Sequence, residues 1–192
     1  FFNSGRVPDW DGYYRFVDDV YGPSTDFAII PDVIGGSEVD QDDLLRDWPF
    51  DAKRVNGVPV WHTDETIPRL EMLAERFSLV CIGSGPGLKP DTEQWWTRIN
   101  QAFDALTDDS GRPKTRIHLL KGLNPAIFTK LPLTSADSTM VGRNTDDKGQ
   151  KWPGRYKPLS IFSRAMVLID RIETFNSPKR WIRKPIQAEF NL

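Results

Sequence analysis

Apolar and polar positions alternate between two patterns along the chain. Short runs of strand length, rich in β-branched or aromatic residues, occur at "DFAIIP" (26–31), "GVPVWH" (57–62), "FSLVCIG" (77–83), "TRIHLL" (115–120) and, more weakly, "LTSAD" (133–137). Between them, apolar residues recur at helical spacing. "DWDGYYRFVDDVY" sets Trp10, Tyr13, Tyr14 and Val17 on one side, and "DETIPRLEMLAERF" stripes Ile67, Leu70, Leu73, Ala74 and Phe77. "DTEQWWTRINQAFDAL" opens on Asp91 as the expected N-cap and stripes Trp95, Ile99, Ala102, Phe103 and Leu106. "NPAIFTKL" predicts a short helix and "PLSIFSRAMVLIDRIETF" a long one.

Strand followed by helix, repeated, predicts an α/β fold with parallel strands joined by crossover helices. An open dinucleotide-binding sheet would carry a glycine-rich loop after its first strand, and none is present. Polar residues instead end several strands: Asp32, His62 with Glu65, Ser84, His118 and Asp137. That distribution predicts a (β/α)8, TIM-barrel-like domain with its chemistry at the carboxyl ends of the strands. Only five or six units are visible, and the chain starts without Met, so the expectation is a barrel incomplete at its N-terminus. One domain over 1–192 is expected, with 145–158 a polar loop or insertion and 158–192 a helix and basic tail.

Charge changes the picture more than composition does. Residues 1–110 hold 9 Lys and Arg against 21 Asp and Glu, a balance of −12; residues 111–192 hold 16 against 6, a balance of +10. This polarity fits a polyanion lying on the C-terminal half, or two complementary faces of one fold. No apolar run reaches the ~20 residues that span a bilayer, so no membrane partner is expected. A single cysteine, Cys81, excludes an internal disulfide and a multi-cysteine zinc site. It is expected to be inert core packing, in a reducing cytoplasm.

Carboxylates are the chemistry that remains. With two histidines and no HxH pair, a multi-histidine metal centre cannot be assembled, and no phosphate-gripping loop with a lysine is present. No metal or cofactor is therefore expected. Asp137 ends a strand and reads as a nucleophile, base, ligand or helix cap. Asp32 in "AIIPDVIGG" is an acceptor whose two oxygens suit paired N–H donors such as those of a guanine edge, or a turn residue bracing its own loop. Gly83, Ser84 and Gly85 follow a strand, where backbone amides can hold a carbonyl or phosphate, or simply turn. His62 and Glu65 lie on a strand-to-helix loop, and His118 reads as an interior histidine or a ligand contact.

Taken in order, these motifs resemble the tRNA-guanine transglycosylase superfamily, especially its shorter phage- or mobile-element-borne relatives, some linked to 7-deazaguanine in DNA. "IIPDVIGG" is similar to the strand ending in the family's base-recognising acid, which would be Asp32. "VPVWHTDE" lies where the family has a base-contacting glutamine, here His62. "VCIGSGPG" resembles "GGLAVGE", whose backbone meets the base carbonyl, matching Gly83, Ser84 and Gly85. "RIHLLKGLNP" is similar to "YLMGVGTP", and "SADSTMVGRN" to "FDCVLPTRNGRN". The latter makes Asp137 the nucleophile, with Arg143 and Asn144 as nucleic-acid contacts beside it.

The resemblance spans about Asp26 to Asn144. It implies a base-exchange glycosyltransferase acting on guanine or 7-deazaguanine in DNA or tRNA, with a homodimer among the assemblies open to it. The family's zinc-binding cysteines are absent, and its second catalytic acid, on a "DSGGF"-type strand, would precede Phe1. A hydrolytic N-glycosidase using the same carboxylates and a non-catalytic base-binding barrel are the alternatives.

Overall fold

Parallel strands, each followed by a helix, build the molecule in the order of the chain. The computed structural model describes residues 8–145 and 157–183. Most of the expected 145–158 loop and the tail beyond 183 lie outside the described residues. The elements are α1 (Trp10–Val20), β1 (Ala28–Ile29), α2 (Glu38–Asp47), β2 (Gly57–Val58), β3 (Val60–His62), α3 (Ile67–Arg76) and β4 (Leu79–Gly83). After them come α4 (Glu93–Leu106), β5 (Arg116–Leu119), α5 (Pro125–Phe128), β6 (Ser135–Ala136), α6 (Met140–Asn144) and α7 (Ile161–Glu173).

β2 and β3 are one extended run interrupted at Pro59, which has no N–H to give a ladder. Its carbonyl still accepts from Cys81 N–H at 2.9 Å. β1 pairs with β2, and β3, β4, β5 and β6 pair in that order, every pair parallel. The ladder therefore follows the chain with no switch of direction, and among the described residues it does not close into a barrel. Right-handed crossovers in such a ladder all fall on one face.

Two different cores follow from the period-2 alternation of the strands. Trp61, Val80, Ile82, Ile117 and Leu119 point to the helix side, against Leu70 and Leu73 of α3 and Trp95, Ile99, Ala102, Phe103 and Leu106 of α4. Each such side chain contributes about 1.5–3 kcal/mol by leaving water. The opposite face carries Val58, Val60, Leu79 and Cys81, with Phe27, Ile29 and Leu120 packed on them. His62, Gly83 and His118 continue this second face towards the carboxyl ends of the strands. A segment after α7 returns to the helix layer, where Trp181 stacks on Phe103 at 5.5 Å and donates its indole N–H to Asp104 at 2.7 Å.

Several local expectations are met and several are not. The α4 stripe is buried at all five predicted positions. Its N-cap, however, is Thr92, whose hydroxyl accepts from Trp95 N–H; Asp91 has φ +68° and binds the Trp96 indole instead. Of the α1 stripe only Val17 is buried, because Tyr14 packs at the rim on Trp48 and Phe50. Two helices had no periodic signal. α2 is nearly all polar and is held by a Ser37–Asp40 capping box, while α6 buries no side chain. No described helix is long and apolar enough to cross a membrane.

Candidate functional site

At the carboxyl end of β3, the chain turns sharply and places three charged side chains in a line. Glu65 N–H donates to the His62 carbonyl at 2.9 Å, and the Glu65 carboxylate accepts from His62 N–H at 3.1 Å, so the turn is closed twice. Arg98 of α4 clamps it from outside, donating to the carbonyls of Thr63 and Glu65 while its guanidinium covers Trp61. His62 then stands with Nδ1 3.0 Å from Glu65 Oε1 and Nε2 2.9 Å from Asp32 Oδ2. Arg69 Nε holds the other Glu65 oxygen at 2.7 Å and its NH1 meets Asp42 of α2.

Asp32, His62, Glu65, Arg69 and Asp42 thus alternate in sign along one chain of contacts. Carboxylates accept only, so an imidazole between two of them carries both protons. Burial opposes that charge, His62 being 3% exposed, but the hydrogen bonds and charges of Asp32 and Glu65 outweigh it and raise the His62 pKa to about 9. Both ring protons are committed to carboxylates. His62 therefore fixes Asp32 rather than presenting a free N–H to a ligand.

A second carboxylate ends β6. Asp137 Oδ1 accepts from the Lys121 backbone N–H at 2.6 Å and lies 3.7 Å from His118 Nε2. His118 is buried, held at Nδ1 by Ser135 Oγ at 2.8 Å and packed against Phe27. Lys121 reaches Asp137 because its backbone is left-handed, φ +57°, at the end of β5. The neighbouring His118 ring, helped by the Lys121 amide and opposed by partial burial, holds Asp137 below the usual carboxylate range. The side chain is 55% exposed. No described group bonds Oδ2.

Register joins the two halves. Val60, Cys81, His118 and Ser135 are successive partners across the sheet, and His62 pairs with Gly83 one step nearer the carboxyl ends. Cys81, between Val60 and His118 in this register, is buried as the floor of the site. Burial first, then the charges of Asp137 and Asp32, push its thiol up to about 12. Asp32 reaches this face through His62 and Asp137 through His118.

The glycines after β4 serve closeness of approach. A Cβ on Gly83 would lie 2.8 Å from His62 Cδ2 and 3.2 Å from Nε2, so only glycine admits the ring there. Gly85 N–H is taken by Thr63 Oγ1 at 2.8 Å and is not open to a ligand. Ser84, half-buried, makes no hydroxyl hydrogen bond among the described residues. Gly35, φ +75°, lets the loop after Asp32 pack on Pro86 of this turn, where a Cβ would be 2.9 Å from the ring.

Asp32, His62, Glu65 and Gly83 thus form one cluster and His118 with Asp137 a second on the same sheet face, while Arg143 and Asn144 lie on α6. Arg143 is exposed, and Asn144 donates its amide to the Met140 carbonyl at 2.7 Å. Arg69, Asp42, Ser135 and Lys121 were missed as partners. The Glu65–Arg69 spacing of four was the one available signal; the others are joined only by the fold. Among the described residues no group of three or more His, Cys, Asp or Glu is arranged to hold a metal. No protein-family model matches the chain, and neither a curated protein nor a solved structure shows significant similarity to it.

Proposed function

We propose that the protein is a base-exchange glycosyltransferase acting on guanine or 7-deazaguanine in nucleic acid, and that its parallel ladder is an arc of a (β/α)8 barrel. The observation that carries this reading is that Asp32 meets His62 and Asp137 meets His118, two histidines on the same face of the β3–β6 sheet. Sequential strand order supports the barrel, since an open doubly wound sheet would reverse its order at a switch point.

In this reading Asp32 receives the paired N–H donors of the purine edge. Its charge and orientation are held by His62, itself locked by Glu65 and Arg69. Asp137 is the nucleophile: Oδ1 is tethered to Lys121, leaving Oδ2 to attack the sugar C1′. The glycosidic C–N bond breaks with its electron pair on the base, which takes a proton from a general acid of the kind the resemblance implies. The incoming base then gives its N–H proton to the conjugate base of that acid as its nitrogen attacks C1′ and breaks the C–O bond to Asp137, with net retention. A depressed Asp137 pKa suits this role, because the attacking oxygen must be ionised.

Labelled 7-deazaguanine supplied with guanine-containing DNA or tRNA tests the reading. Exchange places label in the polymer and loses it in Asp137→Asn. Abasic sites without label identify a hydrolase instead, and neither product points to a binding protein.

A further inference from the structure

Resting on the base-exchange reading, we propose that the groove between the β5–α5 loop and α7 holds the single strand flanking the target nucleotide, its phosphates on Lys121 and Arg171 and a base on Phe175. The groove encloses about 590 Å³. Two cations, Lys121 and Arg171, line it, and Asn124 and Ser138 add polar groups at the loop end. Its floor includes Ile172, and Phe175 stands at the end of α7 with half its surface exposed.

Position ties this groove to Asp137. Lys121 gives Asp137 its backbone N–H while its side chain is exposed to the groove, and Ser138 is the next residue after the acid. A sugar whose C1′ meets Asp137 Oδ2 therefore has its adjoining phosphate within the reach of these residues. A cationic track with an aromatic platform is what a single strand requires: charge for the backbone and a ring face for any base. The +10 balance of residues 111–192 supplies the matching long-range field.

The test is anisotropy of a labelled single-stranded oligonucleotide, as DNA and as RNA, against the whole chain over a range of salt. Lys121→Asn removes the charge while suiting a left-handed backbone; Arg171→Lys keeps charge and Phe175→Leu keeps bulk, as folded controls for Arg171→Ala and Phe175→Ala. Loss of each cation is expected to lower the slope of log affinity against log salt by about 0.7. Phe175→Ala is expected to weaken binding roughly tenfold, with Phe175→Leu also weakened and Arg171→Lys near wild type. Free guanine binding stays unchanged in the Arg171 and Phe175 variants.

Unaltered oligonucleotide affinity in these variants overturns the groove while base exchange, read by label, stands. Absence of oligonucleotide binding by the wild-type chain also overturns it, as does guanine binding lost in step with the oligonucleotide. Failure of the exchange reading shows separately, as Asp137→Asn leaving label incorporation unchanged. A preference between the DNA and RNA strands identifies the polymer.

Discussion

Asp32 Oδ2 and His62 Nε2 lie 2.9 Å apart, with His62 Nδ1 held by Glu65 on its far side. The histidine is thereby a fixed positive strut between two acids, and its consequences can be measured.

Stability carries its signature. The His62 pKa is raised from an ordinary 6.5 to about 9, so its stabilising contribution is complete below about pH 6.5 and is lost as pH climbs through 9. Denaturant unfolding between these limits is expected to show a fall on the order of 2–3 kcal/mol. His62→Gln flattens that fall; an equal fall in the variant contradicts the assignment.

Gly83→Ala tests the same strut from the neighbouring strand. The new methyl would meet the His62 ring at 2.8 Å and displace it from Asp32. Guanine affinity, followed by calorimetry, is expected to drop by tenfold or more with the fold retained. Unchanged affinity would mean that Asp32 does not depend on His62.

Asp137 titrates in the opposite sense. With its folded pKa lowered, its contribution is present above the ordinary carboxylate range and is lost on acidification through the lowered value. Asp137→Asn keeps an oxygen for the Lys121 amide, so thermal unfolding at neutral pH should move little while chemistry disappears. A large loss of stability would make Asp137 an architectural group.

Cys81 is the only cysteine, fully buried, and its thiol is pushed up to about 12. Thiol reagents are expected to modify the folded chain only through global unfolding, at rates that track denaturant. Fast labelling of the native protein would place solvent at the floor of the site.

Trp181 anchors the segment that returns after α7. Trp181→Ala removes a buried ring and is expected to cost about 3–5 kcal/mol, whereas Trp181→Phe loses chiefly the Asp104 hydrogen bond, about 1 kcal/mol. Similar losses for both would argue that the ring does not pack on Phe103.

Strand and helix positions with strong periodicity were legible: the α4 stripe, the strand at 79–83 and Leu70 and Leu73 on the buried side of α3. α2 was not, because a cap and the Asp42–Arg69 pair hold it and only Leu45 packs on the main core. The site residues were legible one at a time, as polar ends of strands. Their coupling was not: the Asp32–His62 contact spans 30 positions, and Lys121 meets Asp137 through a left-handed backbone that a lysine does not announce.

One titration addresses the shared site itself. A guanine-containing oligonucleotide added to isotopically labelled protein should shift the His62 ring protons and the Lys121 amide together, with a single dissociation constant, because the proposed function has one nucleotide present its base to Asp32 and its sugar to Asp137. Movement of only one of these signals, or of the two at different concentrations, would contradict a common ligand.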